Sequence, residues 1–290
     1  MSLKSILKSN KVAARIILCM LIIRHDIKAK LNVYKTIRLN FKYFPFKTAL
    51  KFPILVYGKL ELLNLSGSII IEGNIKSRMI KIGYNSDQFV ASNTCGLWDV
   101  KGLIVFKGKA IISVGPTINV GEDARLTFGN CISLGAKVKL RAWYSIIIDD
   151  YSRIALESQL FDTDFHLIRN IEKDKIYNYC AEIYIGKTCW IGNRCTITKG
   201  TYLPERTIVA SNSLLNKNYS QYLSRPSVIG GIPAKLLKEN VVRIYNYKCE
   251  REAIAYFKNN PAEAAMAGLS FTTDLQQDYS EIQKYYDSII

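Results

Sequence analysis

Aliphatic residues that return every six positions constrain this chain more than any other feature. Val114, Val120 and Leu126 set the spacing, in VGPTIN, VGEDAR and LTFGNC. The phase then slips by two, and Phe128, Leu134, Leu140 and Ile146 continue it. A second slip of two gives Ile148, Ile154 and Leu160. After an interruption the period resumes at Ile185, Ile191, Ile197, Leu203 and Val209, and an isolated earlier match starts at Ile82. An amphipathic helix needs apolar returns at three and four, and a strand meander needs alternation punctuated by hairpin turns. A period of six fits neither. It fits a short extended side that turns a corner every six residues, its aliphatic residue inward and Gly or another small residue at the tight backbone. Three such sides per coil, stacked, make an all-β solenoid around a continuous aliphatic column. The two slips predict irregular turns or small bulges.

Composition adds bounds. A chain of 290 residues, 49% hydrophobic, with 18 Tyr and 11 Phe, is long enough for one or two packed domains with β-rich interiors. Its seven cysteines are scattered without a CxxC pair, which argues against zinc or disulfide frameworks and for buried thiols in a reducing, cytoplasmic setting. The apolar run VAARIILCMLII (12–23) contains Arg15 and is shorter than the ~20 residues a bilayer span needs. No cleavage site follows it, so no secretory leader is expected. Thirteen of the Lys and Arg residues lie within 1–60, facing Asp26 alone, so this segment carries 13 − 1 = +12 of a net +16. That asymmetry predicts an anionic partner: membrane surface, nucleic acid or polyanionic glycan. No nucleic-acid module accompanies it, so nucleic acid is excluded and the anionic inner face of a membrane is preferred.

The chain has two histidines, and one follows two aspartates in FDTDFHLIRN (161–170). An imidazole, titrating near ~6.5, suits the removal of a proton from an alcohol at neutral pH. Asp162 and Asp164 are the nearby acids that would orient the His166 ring; in an extended segment all three side chains share one side. A surface histidine held by nearby acids satisfies the same residues. The stretch 167–182 has no hexad and carries charges and Tyr, as a loop projecting from the solenoid beside a binding face would. Trp190 stands just before Ile191 and Gly192, where an indole must lie outside the coil or crowd its core. Cys189 and Cys195, six apart, read as small corner residues rather than nucleophiles. Gly230, Gly231 and Pro233 in IGGIPAKLLKEN (229–240) fit a rigid turn that leaves the solenoid, with LLKENVVRIY helical after it.

The hexads, DTDFH (162–166), IGKTCWIGNRCTITKG (185–200) and IGGIPAKLLKE (229–239) resemble the hexapeptide-repeat acyltransferases of left-handed parallel β-helix fold, most of all the bacterial polysaccharide and sugar O-acetyltransferases. The resemblance covers about 114–240. It implies a left-handed coil, a homotrimer with coenzyme and acceptor between adjacent solenoids, and acetyl-CoA as donor. It also implies that His166 is the general base, that Trp190 lies by the thioester, and that Lys235 approaches the coenzyme phosphate. Lys199 and Lys217 would add to the positive field there. Backbone groups at Gly192, Ala210 and Ser211 would bond the pantetheine amides. TYLPER (201–206) departs from the glycine-bearing corner more usual in the family.

The resulting reading is an acetyl-CoA-dependent O-acetyltransferase acting on a sugar hydroxyl of a surface polysaccharide or its precursor, without a metal. An N-acyltransferase acting on an amino-sugar nucleotide needs the same base, and a non-catalytic structural or glycan-binding solenoid needs none. A γ-type carbonic anhydrase is excluded, because three metal-binding histidines cannot come from His25 and His166. The expected organisation is a basic N-terminal cap (1–80) whose later strands merge into the first coils, the β-helix (81–240) with its loop at 167–182, and a helical or partly disordered tail (241–290).

Overall fold

The computed structural model describes residues 24–85, 90–91, 93–245 and 247–260. The apolar run at 12–23 and the segment after 260 fall outside them. Three parallel sheets wrap one core as a three-sided prism. The first side has nine strands, from Ile54–Val56 to Ala234–Glu239. The second has seven, from Leu60–Asn64 to Leu214–Leu215, and the third six, from Ser68–Ile71 to Tyr202–Leu203. Within each coil the chain visits the sides in that order, so each strand pairs with one a full coil away. The coils begin at Ile54, whose strand pairs with Ile80–Ile82; the segment expected as a cap therefore already contains solenoid. Ile54 and Leu60 already lie six apart, but the connection 72–79, between the strands Ser68–Ile71 and Ile80–Ile82, breaks the period.

Every aliphatic residue that carries the period is buried. In the last coils Trp190 pairs with Ile208 and Thr196 with Leu214, each 18 positions on (208 − 190, 214 − 196), which is three hexads. Earlier coils are longer: Arg125 pairs with Ser145, 20 positions on (145 − 125), in unbroken register. The phase slips are thus not bulges. On the strand Arg125–Phe128 both Leu126 and Phe128 point inward, and on Ser145–Ile148 both Ile146 and Ile148 do, so each slip is a side lengthened by one inward residue.

The corner glycines also differ from expectation. The left-handed backbone angles fall on Thr188 (φ 57°), Arg194 (54°), Arg206 (59°) and Asn212 (59°), not on Gly186 or Gly192. What requires glycine is the next coil. A Cβ on Gly186 would lie 2.7 Å from the Glu205 nitrogen, and one on Gly192 2.7 Å from the Ser211 nitrogen. Hydroxyls stitch these corners: Ser158 Oγ donates to the Gly192 carbonyl (2.9 Å) and accepts from the Cys195 N–H (3.1 Å).

Helix α1 (Val33–Tyr43) closes the first end of the prism. Asn32 caps its start by accepting from the Lys35 N–H (3.0 Å), and Pro45 holds Phe44 extended, which stops it. Its inner face presents side chains to the strand Ile54–Val56: Asn40 Nδ2 donates to the Ile54 carbonyl (2.7 Å) and Asn40 Oδ1 accepts from the Ile54 N–H (3.2 Å). Thr36 Oγ1 accepts from the Val56 N–H (3.0 Å). A short helix α2 (Phe46–Ala49) follows. At the other end Tyr219 and Leu223 plug the core. The strand Ala234–Glu239 then turns back antiparallel onto Ser227–Gly231. This corrects the helical reading of LLKENVVRIY: the open sheet edge supplies backbone partners at once, and helix α3 starts only at Tyr247, running to Asn259.

Candidate active site

The interruption after His166 is an arm. It leaves the corner between the second and third sides and folds into a hairpin, with Arg169–Asn170 antiparallel to Lys175–Ile176. At its root the DTDFH segment does not alternate. Phe165 adopts φ 61°, its N–H donating to Thr163 Oγ1 (3.0 Å), so the three polar side chains part company. Asp162 is fully buried and accepts from the Trp143 N–H (2.7 Å) and the Tyr144 N–H (2.8 Å), fixing the corner of the coil below. Burial pushes its carboxyl above the ordinary carboxylate range, more than these N–H groups lower it. Asp164 lies 2.6 Å from Lys199 Nζ, and Lys199 also donates to the Asn178 carbonyl on the arm. His166 is exposed and, among the described residues, neither aspartate pairs with it. The expected orienting role of Asp162 is corrected on this geometry: its oxygens already serve the corner.

Beside the arm lies a cavity of about 330 Å³ lined by Asp99, Lys101, Asn119, Glu122, Asp123, Trp143 and Tyr179, among others. Sequence reasoning missed it, although the aromatic pair Trp143 and Tyr144, inside the hexad that begins at Leu140, marked the corner. Trp143 packs edge-on against Phe165 (5.5 Å between centroids), and the Asp164 N–H donates to the Tyr179 carbonyl (2.8 Å). The cavity and the His166 turn therefore share walls. Asn119 Nδ2 donates to Asp99 Oδ2 (2.5 Å), leaving an amide oxygen and a second carboxylate oxygen beside the rings. A ring face with polar oxygens beside it is an arrangement suited to sugars.

The remaining site residues occupy a different part of the prism. Trp190 and Lys235 are on the first side, on the strands Trp190–Ile191 and Ala234–Glu239. Gly192, Ala210 and Ser211 line the corner between the first and second sides; Ser211 Oγ accepts from the Asn193 N–H (3.1 Å) and the Ala210 N–H donates to the Ile229 carbonyl (2.8 Å). The Trp190 ring is 38% exposed, with the Arg243 guanidinium 4.6 Å from its centroid as residues 241–245 fold back across this side. Lys235 is exposed. Lys217 stands at the arm's corner instead, its ammonium 4.4 Å from the Tyr222 ring. Cys189 and Cys195 are buried, each thiol donating to a carbonyl of the next coil, Pro204 (3.1 Å) and Ala210 (3.2 Å). Burial pushes Cys189 up to about 12, which suits a corner filler and not a nucleophile.

Among the described residues no helix is long and apolar enough to cross a membrane. No family model matches the chain. Similar architectures occur among solved structures. The polysialic-acid-specific acetyltransferase NeuO is 16% identical, with 81% of this chain and 94% of that chain covered and a TM-score of 0.47. The polysialic acid O-acetyltransferase OatWY is 17% identical, covering 78% and 96% with a TM-score of 0.35. A variant of AntD, an N-acyltransferase from Bacillus cereus solved with dTDP and coenzyme A, is 12% identical, covering 77% and 98% with a TM-score of 0.41. These are likenesses of architecture at low identity, and the solenoid itself stands on the strand registers of this chain.

Proposed function

We propose that this protein transfers an acyl group, acetyl in the simplest case, from a coenzyme A thioester to a hydroxyl of a sugar in a surface polysaccharide or its precursor. The observation that carries this reading is the exposed His166 at the root of the arm, sharing walls with a cavity that offers an aromatic face and hydrogen-bonding oxygens. In this reading the sugar lies against Trp143, and a ring nitrogen of His166 takes the proton of the attacking hydroxyl. The hydroxyl oxygen bonds to the thioester carbonyl carbon and the carbon–sulfur bond breaks. The departing sulfur then receives the proton from the imidazolium.

The first-side cluster fits the donor. Trp190 offers a partly open ring, Lys235 an exposed ammonium for phosphate, and Gly192, Ala210 and Ser211 a corner for amide groups. This cluster and His166 lie on different parts of one prism. A closed ring of three copies, in which the arm corner of one meets the first side of the next, unites them; we therefore assign the working state as a homotrimer.

A second reading, N-acylation of an amino sugar, gains support from Asp99, Glu122 and Asp123 around the cavity, which suit an ammonium group. Thioester consumption with hydroxyl and amino acceptors, on wild type and His166→Ala, tests both. The substitution is expected to lower turnover by about 10²–10⁴-fold while coenzyme binding and assembly persist. Equal rates in the two proteins would remove His166 from the reaction.

A further inference from the structure

The N-terminal end of the prism carries a surface that acyl transfer does not use. Helix α1 buries Thr36, Leu39 and Asn40 against the first strand. The flank next to this buried face is exposed and apolar: Val33, Ile37 and Phe41 fall four apart on one line, with Tyr34 beside them. Phe46 and Leu50 of the following turn extend this ledge, and the Phe41 and Phe46 rings touch edge-on at 5.8 Å. These are large exposures, 68% for Tyr34, 67% for Phe46 and 60% for Val33, gathered in one place. Around them stand Lys28, Lys30, Lys35, Arg38, Lys42, Lys47 and Lys51, and residues 27–52 contain no acid. Asp26, the nearest, is buried. Burial alone would raise its carboxyl, but the Arg78 and Tyr57 partners hold it below the usual range, so it remains charged against Arg78 inside the protein.

We infer that this ledge is a docking surface for an anionic lipid bilayer, with the apolar line entering the interface and the bases meeting headgroup phosphates. Charge decides among the possible occupants. A second copy would bring this run of bases, which residues 27–52 answer with no acid of their own, against an identical run. A nucleic-acid duplex would meet the bases with its phosphates but leave the aliphatic Val33, Ile37 and Leu50 unmatched. A bilayer satisfies both halves. The site also faces away from the coils that hold His166, so docking leaves the catalytic edge open.

Co-sedimentation of the full chain with vesicles tests this. Phosphatidylcholine vesicles containing about one third phosphatidylglycerol are compared with pure phosphatidylcholine, at low and high salt. The wild type is expected to partition at least about tenfold more strongly onto the anionic vesicles, and to lose this at high salt. Ile37→Glu with Phe41→Glu, and separately Arg38→Gln with Lys42→Gln and Lys47→Gln, are each expected to cut partitioning about tenfold, with thioester turnover in solution unchanged. These side chains are solvent-exposed, so the fold tolerates the changes. Partitioning that survives both sets overturns the inference. So does equal binding to neutral vesicles. Loss of self-association in the variants, read by sedimentation velocity without any vesicle binding in the wild type, would make the ledge a contact between copies instead.

Discussion

Lys199 Nζ lies 2.6 Å from Asp164 Oδ2, so a lysine from the coil above, not the neighbouring imidazole, holds the acid two residues before His166. With Lys199 also bonded to the Asn178 carbonyl, one ammonium ties both ends of the arm to the prism. The pair is partly exposed, so its direct contribution to stability is at most about 1 kcal/mol. Lys199→Met is therefore expected to lower Tm by no more than a few degrees but to reduce turnover several-fold, because the turn bearing His166 loses its tether. Coenzyme affinity should not change. A clear fall in coenzyme affinity would return Lys199 to the phosphate-binding role its position in the motif implies.

Asp162 offers a separate test, because it is an acid serving as a backbone clamp. Asp162→Asn replaces one acceptor oxygen by an NH₂ group facing a main-chain N–H, at a cost of about 1–3 kcal/mol. The pH dependence is diagnostic. Burial raises the folded-state pKa above the usual 3.8, so the folded protein keeps this proton to higher pH than the unfolded chain. Its contribution to stability therefore grows as pH falls from neutral through the raised value and levels off below the unfolded one. That increment should be missing from the Asn variant when denaturant midpoints are compared across this range. An identical pH profile in both proteins would show that Asp162 is not the titrating group.

Gly192 makes a prediction about packing alone. An alanine Cβ would sit 2.7 Å from the Ser211 nitrogen and 2.8 Å from the Val209 oxygen, both backbone atoms of the next coil. Gly192→Ala is expected to destabilise by about 1–3 kcal/mol, because neither neighbour is free to rotate aside. Asn212→Gly nearby, at φ 59°, should be neutral or mildly stabilising, since it relieves a left-handed backbone at an exposed residue. Thermal midpoints moving in the opposite order would mean that the corner glycine serves backbone freedom rather than room.

These residues show how far the sequence could be read. Ile185, Ile191 and Ile197 disclose the solenoid because each faces one column, and a solenoid repeats its environment every side. The slips at Leu126/Phe128 and Ile146/Ile148 are visible as numbers, but whether they mean a bulge or a longer side depends on the strand one coil below. Gly192 is legible as a corner, yet its reason lies in Ser211, nineteen positions on. His166 stands out by rarity. The partners of Asp162 and Asp164 do not, because Trp143, Tyr144 and Lys199 meet them only once the coils stack. The cavity at Asp99, Asn119, Trp143 and Tyr179 draws on four separate coils, and of these residues only Trp143, paired with Tyr144, stands out along the chain.

The amide of Asn40 and the hydroxyl of Thr36 have a consequence beyond finishing the first strand. A solenoid ends in a ladder of main-chain groups that another molecule's terminal rung would match, and a stack of such molecules would grow into a fibre. On the first of the three sides that ladder is already answered by side chains on a helix, which cannot be extended by a further strand. Another molecule's rung cannot continue that side, so its first strand is a full stop rather than an invitation.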